Sequence, residues 1–287
     1  MQTLQRLYQV NDWPFTIKIG VALVVLAVLP LVVTLVFFNN TPQALEDEAF
    51  NHLEAVAESR LTTVDLWFGE RRSDVRVLGT TSTVIEAITE FEAALHATED
   101  GPEATLETLR GNYLGQPELD DAGDGSAYSA SHTEYHPFFT AFLNNYGYYD
   151  VFLIEDNGDI VYSVLKEDDY GTNLLTGPYK DSNLATGFQQ MAAGHQPGLV
   201  LLEDFQPYAP SDDAPASFLI APVYDRQQFI GVLAVQVPLD QISAIMSAHV
   251  GLGDTGEAYL VGPNHLFRND SRFLDELGAT TTVLNPD

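Results

Sequence analysis

The chain has no cysteine, which removes disulfides, thiolate metal sites and cysteine nucleophiles from consideration. A small disulfide-stapled extracellular domain is thereby excluded. Basic residues are scarce as well: 12 Lys and Arg stand against 41 Asp and Glu, a formal net charge of −29. The lysines are Lys18, Lys166 and Lys180 alone. So few cations cannot line a path of phosphates, so nucleic acid and anionic lipid surfaces are excluded as partners recognised through a basic patch. The acids are scattered rather than blocked, which describes a solvated, self-repelling surface. Gly-x-Ser-x-Gly, a Walker loop and His-Glu-x-x-His are also missing, and the sequence implies neither a catalytic centre nor a cofactor.

What the chain does have is a long apolar run. Residues 19–38 carry no charge. About 20 apolar residues at roughly 1.5 Å each match a hydrocarbon core of about 30 Å, so a membrane-spanning helix is expected over 15–38. Pro30 does not break it, because freed backbone groups can be satisfied locally. A core helix of this length would carry a polar face, and this one has none. Arg6 and Lys18 precede the run against Asp12, whereas Glu46, Asp47 and Glu48 follow it and the next cation is Arg60. That bias puts a tail, 1–14, in the cytoplasm and the rest outside. The run exceeds the core of a signal peptide, and Phe37-Phe38-Asn39-Asn40 is no cleavage site, so it reads as an anchor.

Beyond the span, Thr41-Pro42 reads as a fresh helix start with Thr41 as N-cap. Leu45, Phe50, Leu53, Val56, Leu61, Val64 and Trp67 or Phe68 then recur at helical spacing and continue to Leu78. Such a long one-sided helix suits packing on a domain and on a second copy of itself. Thr83-x-x-Glu86 reads as a capping box for the next helix, which ends at Asp100-Gly101-Pro102. A short helix is expected near 103–110, a Gly-, Asp- and Ser-rich loop over 115–131, and another helix near 135–146.

From Tyr149 the period changes to that of strands: 149–155, 160–165, 198–202, 217–224 and 229–237, with helices at 182–193 and 240–248. Asn157-Gly158 suggests a two-residue hairpin turn, which would set Leu153 opposite Tyr162 and Phe152 opposite Ser163. Two strands, a helical crossover and three antiparallel strands describe a PAS-like five-stranded sheet in an α+β protein. A further hairpin, 257–261 with 266–269, looks like the start of a second such sheet. The chain stops before that sheet could close, so a fragment of a longer protein is expected.

Several motifs carry less than they promise. Gly251-Leu-Gly-Asp-Thr-Gly256 spells a dinucleotide fingerprint, but it follows a helix and precedes a strand, the reverse of what the mechanism needs. His132 and His136 lack a third ligand and, following a loop, read as an exposed pair. Asp120–Gly125 opens like a calcium loop but has Ala122 and Ser131 at ligand positions.

The helix through Leu66-Trp67-Phe68, the run 149–154 with 157–162, Ala221-Pro222-Val223-Tyr224-Asp225 with 230–233, and 253–261 together resemble a bacterial double-Cache sensor domain. Such domains form the extracytoplasmic part of chemoreceptors, sensor kinases and cyclases. The resemblance implies a membrane-distal module over 39–250, the beginning of a membrane-proximal module over 251–287, and residence in the bacterial inner membrane. It implies a small organic ligand held between the sheet and the loops crossing it, with an output domain beyond this chain. Family members that bind amino acids share an Arg-x-Trp-Tyr segment and an aspartate in the last strand. Here 170–181 has no Arg-x-Trp, and Gln236 stands at the aspartate position. The expected ligand residues are Tyr162, Lys166, Tyr170, Tyr208, Tyr224 and Asp225, since pockets combine aromatic faces with a few convergent polar groups. The alternative is a membrane-anchored assembly protein that dimerises through the long helix and binds nothing small.

Overall fold

The computed structural model describes residues 13–98, 101–194 and 196–285. Arg6, Asp12 and Asp100, and most of the expected tail 1–14, lie outside the described residues. Contacts divide the chain into two units, 1–58 and 59–287.

The first unit is helical. Helix α1 (Phe15–Leu78) begins in it, and the stretch Phe15–Phe37 has a mean hydropathy of 3.0 and no buried residues. It is long and apolar enough to cross a membrane. Thr34 Oγ1 donates to the Pro30 carbonyl at 2.8 Å, and the helix passes the proline without ending. The expected new start at Thr41-Pro42 is not realised, because the backbone stays helical from 15 to 78. A proline removes one intrahelical donor, and here that loss does not end the helix.

In the second unit, α1 contributes the buried residues Val64, Val75 and Leu78. Arg60 caps carbonyls at the far end of a later helix, α6 (Leu239–Ser247), donating to Ile245 O at 3.0 Å and to Ala248 O. Trp67 Nε1 donates to Gln241 Oε1 at 3.2 Å. Helix α2 (Ser82–His96) is capped by Thr81, whose side chain accepts from the Val84 N–H, so the cap lies two residues before Thr83. Helix α3 (Pro102–Tyr113) starts on its proline, as helices favour. Helix α4 (Ala127–Tyr146) starts eight residues earlier than its apolar spacing suggested. Ser126 makes the difference by accepting from the Ser129 N–H, a cap hidden inside a loop-like composition.

Five strands form one antiparallel sheet: β1 (Asp150–Glu155), β2 (Ile160–Ser163), β3 (Leu201–Tyr208), β4 (Ala214–Asp225) and β5 (Gln228–Val237). Their order is β2-β1-β5-β4-β3, the PAS-like arrangement expected. The expected register also holds, with Leu153 opposite Tyr162 and Phe152 opposite Ser163. The turn differs. Gly158, at φ 94°, donates its N–H to Glu155 O, giving a three-residue loop around Asp156-Asn157. Ile154 then pairs with Ile160, leaving Val161 as a bulge that restores the register at Tyr162. On β5, Gly231 has φ 146°, and a Cβ there would lie 2.1 Å from the Ile154 carbonyl oxygen, so no side chain fits.

Both faces of the sheet are covered. Helix α5 (Asn183–Gly194) packs on one, against Phe152, Ile154, Phe218 and Ile220. Helices α2 and α4 and the second-unit part of α1 pack on the other, against Val151, Leu153, Leu219 and Val235. After α6, residues 251–255 form turns, and no helix follows to receive a phosphate. The expected hairpin at 257–269 reduces to one antiparallel bridge, Val261 with Phe267. The polar groups of this segment are engaged elsewhere: Arg268 donates to both Asp204 carboxylate oxygens on β3 at 2.8 Å, and Asn269 Oδ1 accepts from Leu260 N. A one-turn helix, α7 (Leu274–Leu277), follows, and buried Val283 then forms a parallel bridge with Phe267.

Candidate ligand site

The face under α2 and α4 is apolar at its centre but turns polar where β2 ends. Helix α4 presents Tyr128, His132 and His136 at intervals of four, one stripe along its buried side. Opposite them β2 presents Tyr162, turned to this face by the Val161 bulge, while α2 adds Phe91 and α3 adds Tyr113. Phe91 stacks on Tyr162 with ring centres 5.5 Å apart, and His132 stacks on His136 at 4.5 Å. The histidines are therefore buried, not exposed. Their side of α4 is the one that meets the sheet, which the loop preceding them in sequence concealed.

Hydrogen bonds fix both imidazole tautomers. His136 faces the Pro117 carbonyl with Nε2 at 2.8 Å, and its Nδ1 faces the Tyr162 hydroxyl at 2.7 Å. A carbonyl only accepts, so Nε2 carries the proton and Tyr162 donates to Nδ1. His132 faces the Asp120 carbonyl with Nδ1 at 2.7 Å. Its Nε2 therefore keeps a lone pair, buried and without a hydrogen-bond partner. Burial, then the positive charge of Lys166, holds the His132 imidazole down to about 3 and lowers that of His136 as well. Both rings are neutral at physiological pH.

Lys166 follows β2 in the left-handed region at φ 53°, which a side chain adopts at some cost, and its side chain is fully buried. Its Nζ reaches the Pro117 and Val164 carbonyls only at 3.4 Å, long contacts for an ammonium with three protons. Desolvation brings it down to about 8, against the opposing pull of Asp150. Asp150 is fully buried; its Oδ1 accepts from the N–H groups of Val151, Val164 and Leu165, while Oδ2 has no partner. Burial and the neighbouring Asp169 push its carboxyl well up.

Four of the six expected ligand residues gather at this end of the sheet. Tyr162 and Lys166 meet through the Pro117 carbonyl, shared by Lys166 and His136. Tyr170 closes the cluster's side, its hydroxyl 2.7 Å from that of Tyr128, which also donates to Val161 O. Tyr208 lies on the end of β3 rather than in a loop, among the side chains of the other face. It reaches the cluster's acidic side only through its bond to Asp169. Tyr224 and Asp225 are not brought in. They sit six and seven residues along β4 from Phe218, the residue level with Gln236 and Asp150, which is roughly 20 Å or more at strand spacing. Asp225 is exposed, and Tyr224 packs its ring on Phe229. A position at a strand end, read from sequence, does not reveal which end of the sheet it occupies. His132 and His136 went unrecognised as members, although their spacing of four already put them on one helix face.

A groove of about 390 Å³ lies between α2, α3 and α4, lined by Ala94, Thr98, Thr105, Leu109, Ser126 and Tyr128. Tyr128 thus faces both this groove and the buried rings. Among the described residues no group of three or more His, Asp or Glu is arranged to hold a metal ion.

No family model and no curated protein matches the sequence. Solved structures do resemble the chain. One is the sensor domain of the V. cholerae histidine kinase DctB, at 16% identity and a TM-score of 0.44, covering 71% of this chain and 59% of that one. Another is the ligand-binding domain of the Pseudomonas fluorescens chemoreceptor CtaA in complex with L-serine, at 14% identity, TM-score 0.41, and 79% and 74% coverage. A third is that of the Pseudomonas aeruginosa amino-acid chemoreceptor PctC in complex with GABA, at 15% identity, TM-score 0.43, and 82% and 79% coverage. The chain spans 59% of the length of the DctB domain. The solved structures to which this chain is similar are thus sensor and ligand-binding domains of a histidine kinase and of chemoreceptors.

Proposed function

We propose that this chain is the small-ligand-sensing part of a receptor in the bacterial inner membrane, anchored by Phe15–Phe37 with its N-terminus in the cytoplasm. In this reading 39–250 form the membrane-distal module and 251–287 begin a membrane-proximal one. The observation that carries the proposal is the buried cluster of Tyr162, Lys166, Tyr170, His132 and His136. A protein core rarely leaves polar atoms unmet, yet His132 Nε2 has no partner and Lys166 Nζ only long ones. Groups kept dry and unmet have a use when a ligand meets them. Ligand binding that favours one of two arrangements of α1 would shift their populations and carry the signal inward.

Homodimerisation along α1 belongs to the same proposal. Leu66 and Val77, eleven residues apart and so on one stripe of the helix, are 65% and 61% exposed, apolar surface that a second copy would cover.

The test is a thermal-shift screen of the full chain in lipid nanodiscs against several hundred metabolites. At least one small organic compound is expected to raise the melting temperature by binding the folded state. Tyr162→Ala should abolish that shift, and Tyr224→Ala should leave it intact. A blank screen favours an anchored assembly protein. A shift that survives Tyr162→Ala moves the site elsewhere.

A further inference from the structure

The unmet atoms specify more than the existence of a ligand. If the sensor reading holds, they also set the chemical class of what the site binds.

His132 Nε2 is an acceptor, because Nδ1 is committed as donor to the Asp120 carbonyl. It is fully buried and has no partner, so it asks for an O–H or N–H. Lys166 Nζ is a donor with protons to spare, so it asks for an acceptor, best an anionic oxygen. Lys166 is the charged side chain bearing on His132, while the carboxylates of Asp150, Asp120 and Glu118 bear on Lys166 itself. An ammonium placed against Nε2 would therefore face the Lys166 ammonium across a dry interior, whereas a neutral hydroxyl would not. The rings of Tyr113, His136 and Tyr162 pack against that of His132 with centres 4.5 to 5.6 Å away, so the flat surfaces around Nε2 are aromatic.

We infer that the ligand is a small hydroxycarboxylate, its carboxylate on Lys166 Nζ and its neutral hydroxyl donating to His132 Nε2. It would enter from the groove between α2, α3 and α4 past Tyr128, which lines that groove and packs on His132.

Lactate, propionate and alanine test this directly, because they differ only in bearing a hydroxyl, a hydrogen or an ammonium beside the carboxylate. Titrating each into the full chain in nanodiscs by calorimetry, lactate is expected to bind about tenfold more tightly than propionate, the worth of one buried hydrogen bond. Alanine should bind more weakly than lactate. His132→Leu should erase the preference for lactate over propionate. His132→Gln, whose amide oxygen can accept in place of Nε2, should keep part of it and so shows that a loss in the leucine variant is not unfolding. Lys166→Met should weaken lactate and propionate alike.

Alanine binding as tightly as lactate overturns the inference, as does a lactate preference that survives His132→Leu. In either case binding that still needs Lys166 leaves the sensor reading standing. No binding by any of the three overturns the hydroxycarboxylate assignment, and the sensor reading then stands or falls with the metabolite screen.

Discussion

One sheet has two very different sides. Beneath α5, Phe152, Ile154, Phe188, Phe218 and Ile220 pack into an apolar layer, bordered at one end by the Tyr208 hydroxyl on Asp169 and by Asp150; the two carboxyls each keep one oxygen without a partner. Beneath α2 and α4 the same strands meet Lys166, His132, His136 and a set of tyrosines, with His132 Nε2 unpartnered and Lys166 Nζ in contact only at 3.4 Å. Strand alternation sends Phe152 and Ile154 to the first side and Val151 and Leu153 to the second, so the contrast comes from what the helices bring. The apolar side supplies stability. The polar side forgoes some of it, because desolvated and poorly met groups cost free energy.

The sharpest way to break this comparison is to damage the apolar side. Phe218→Ala should cost about 3–5 kcal/mol of stability, since a fully buried ring would leave a cavity. Denaturant unfolding of the full chain in detergent reads the loss, and a cost under about 1 kcal/mol would mean that side is not the stabilising one.

On the polar side the sign should reverse. Lys166→Met replaces a buried ammonium with an apolar chain of similar length. The lysine falls from 10.5 to about 8 on folding, so the unfolded chain holds its proton more tightly than the folded one. The penalty is complete below pH 8 and fades as pH rises from 8 through 10.5. At pH 7 the methionine variant should therefore be more stable by about 3 kcal/mol, on a scale of about 1.4 kcal/mol per unit. The advantage should vanish near pH 11. Unfolding measured at both pH values checks it, and a destabilised variant at pH 7 would show that the long carbonyl contacts of Nζ matter more than its desolvation.

Smaller changes sharpen the picture. Tyr162→Phe removes the donor to His136 Nδ1 and leaves a buried lone pair unmet, a cost of about 1–2 kcal/mol. The imidazole should also lose the nuclear magnetic resonance signature of a bonded Nδ1. Tyr224→Phe sits at the smallest end. Its hydroxyl is buried without a partner, so the change should fall within about 0.5 kcal/mol of neutral and leave ligand binding as it was. Weakened binding in this variant would reunite Tyr224 with the site.

The order of strands, the register at Leu153 and Tyr162 and the helix long enough to cross a membrane were all legible in the sequence. Each rests on local chemistry: period-2 alternation, a turn with Asn-Gly and an uncharged run of sufficient length. The three-residue turn and its bulge were not, because a shift of one residue at Ile154 is undone at Val161 and leaves the outer register unchanged. Helix starts at Thr81 and Ser126 were misplaced because several hydroxyls near each start could cap, and packing selects among them.

Sequence by itself determined that the chain is acidic, cysteine-free and α+β, and that its tyrosines and lone lysines were the groups to watch. Tertiary structure alone decided which of them share a space. Tyr162 and Lys166 are drawn together with His132 and His136 because α4 lays one face across the end of β2, while Tyr224 is carried to the far end by the direction of β4. Proximity across more than twenty residues of chain is a property of how helices cover a sheet, and no local pattern encodes it.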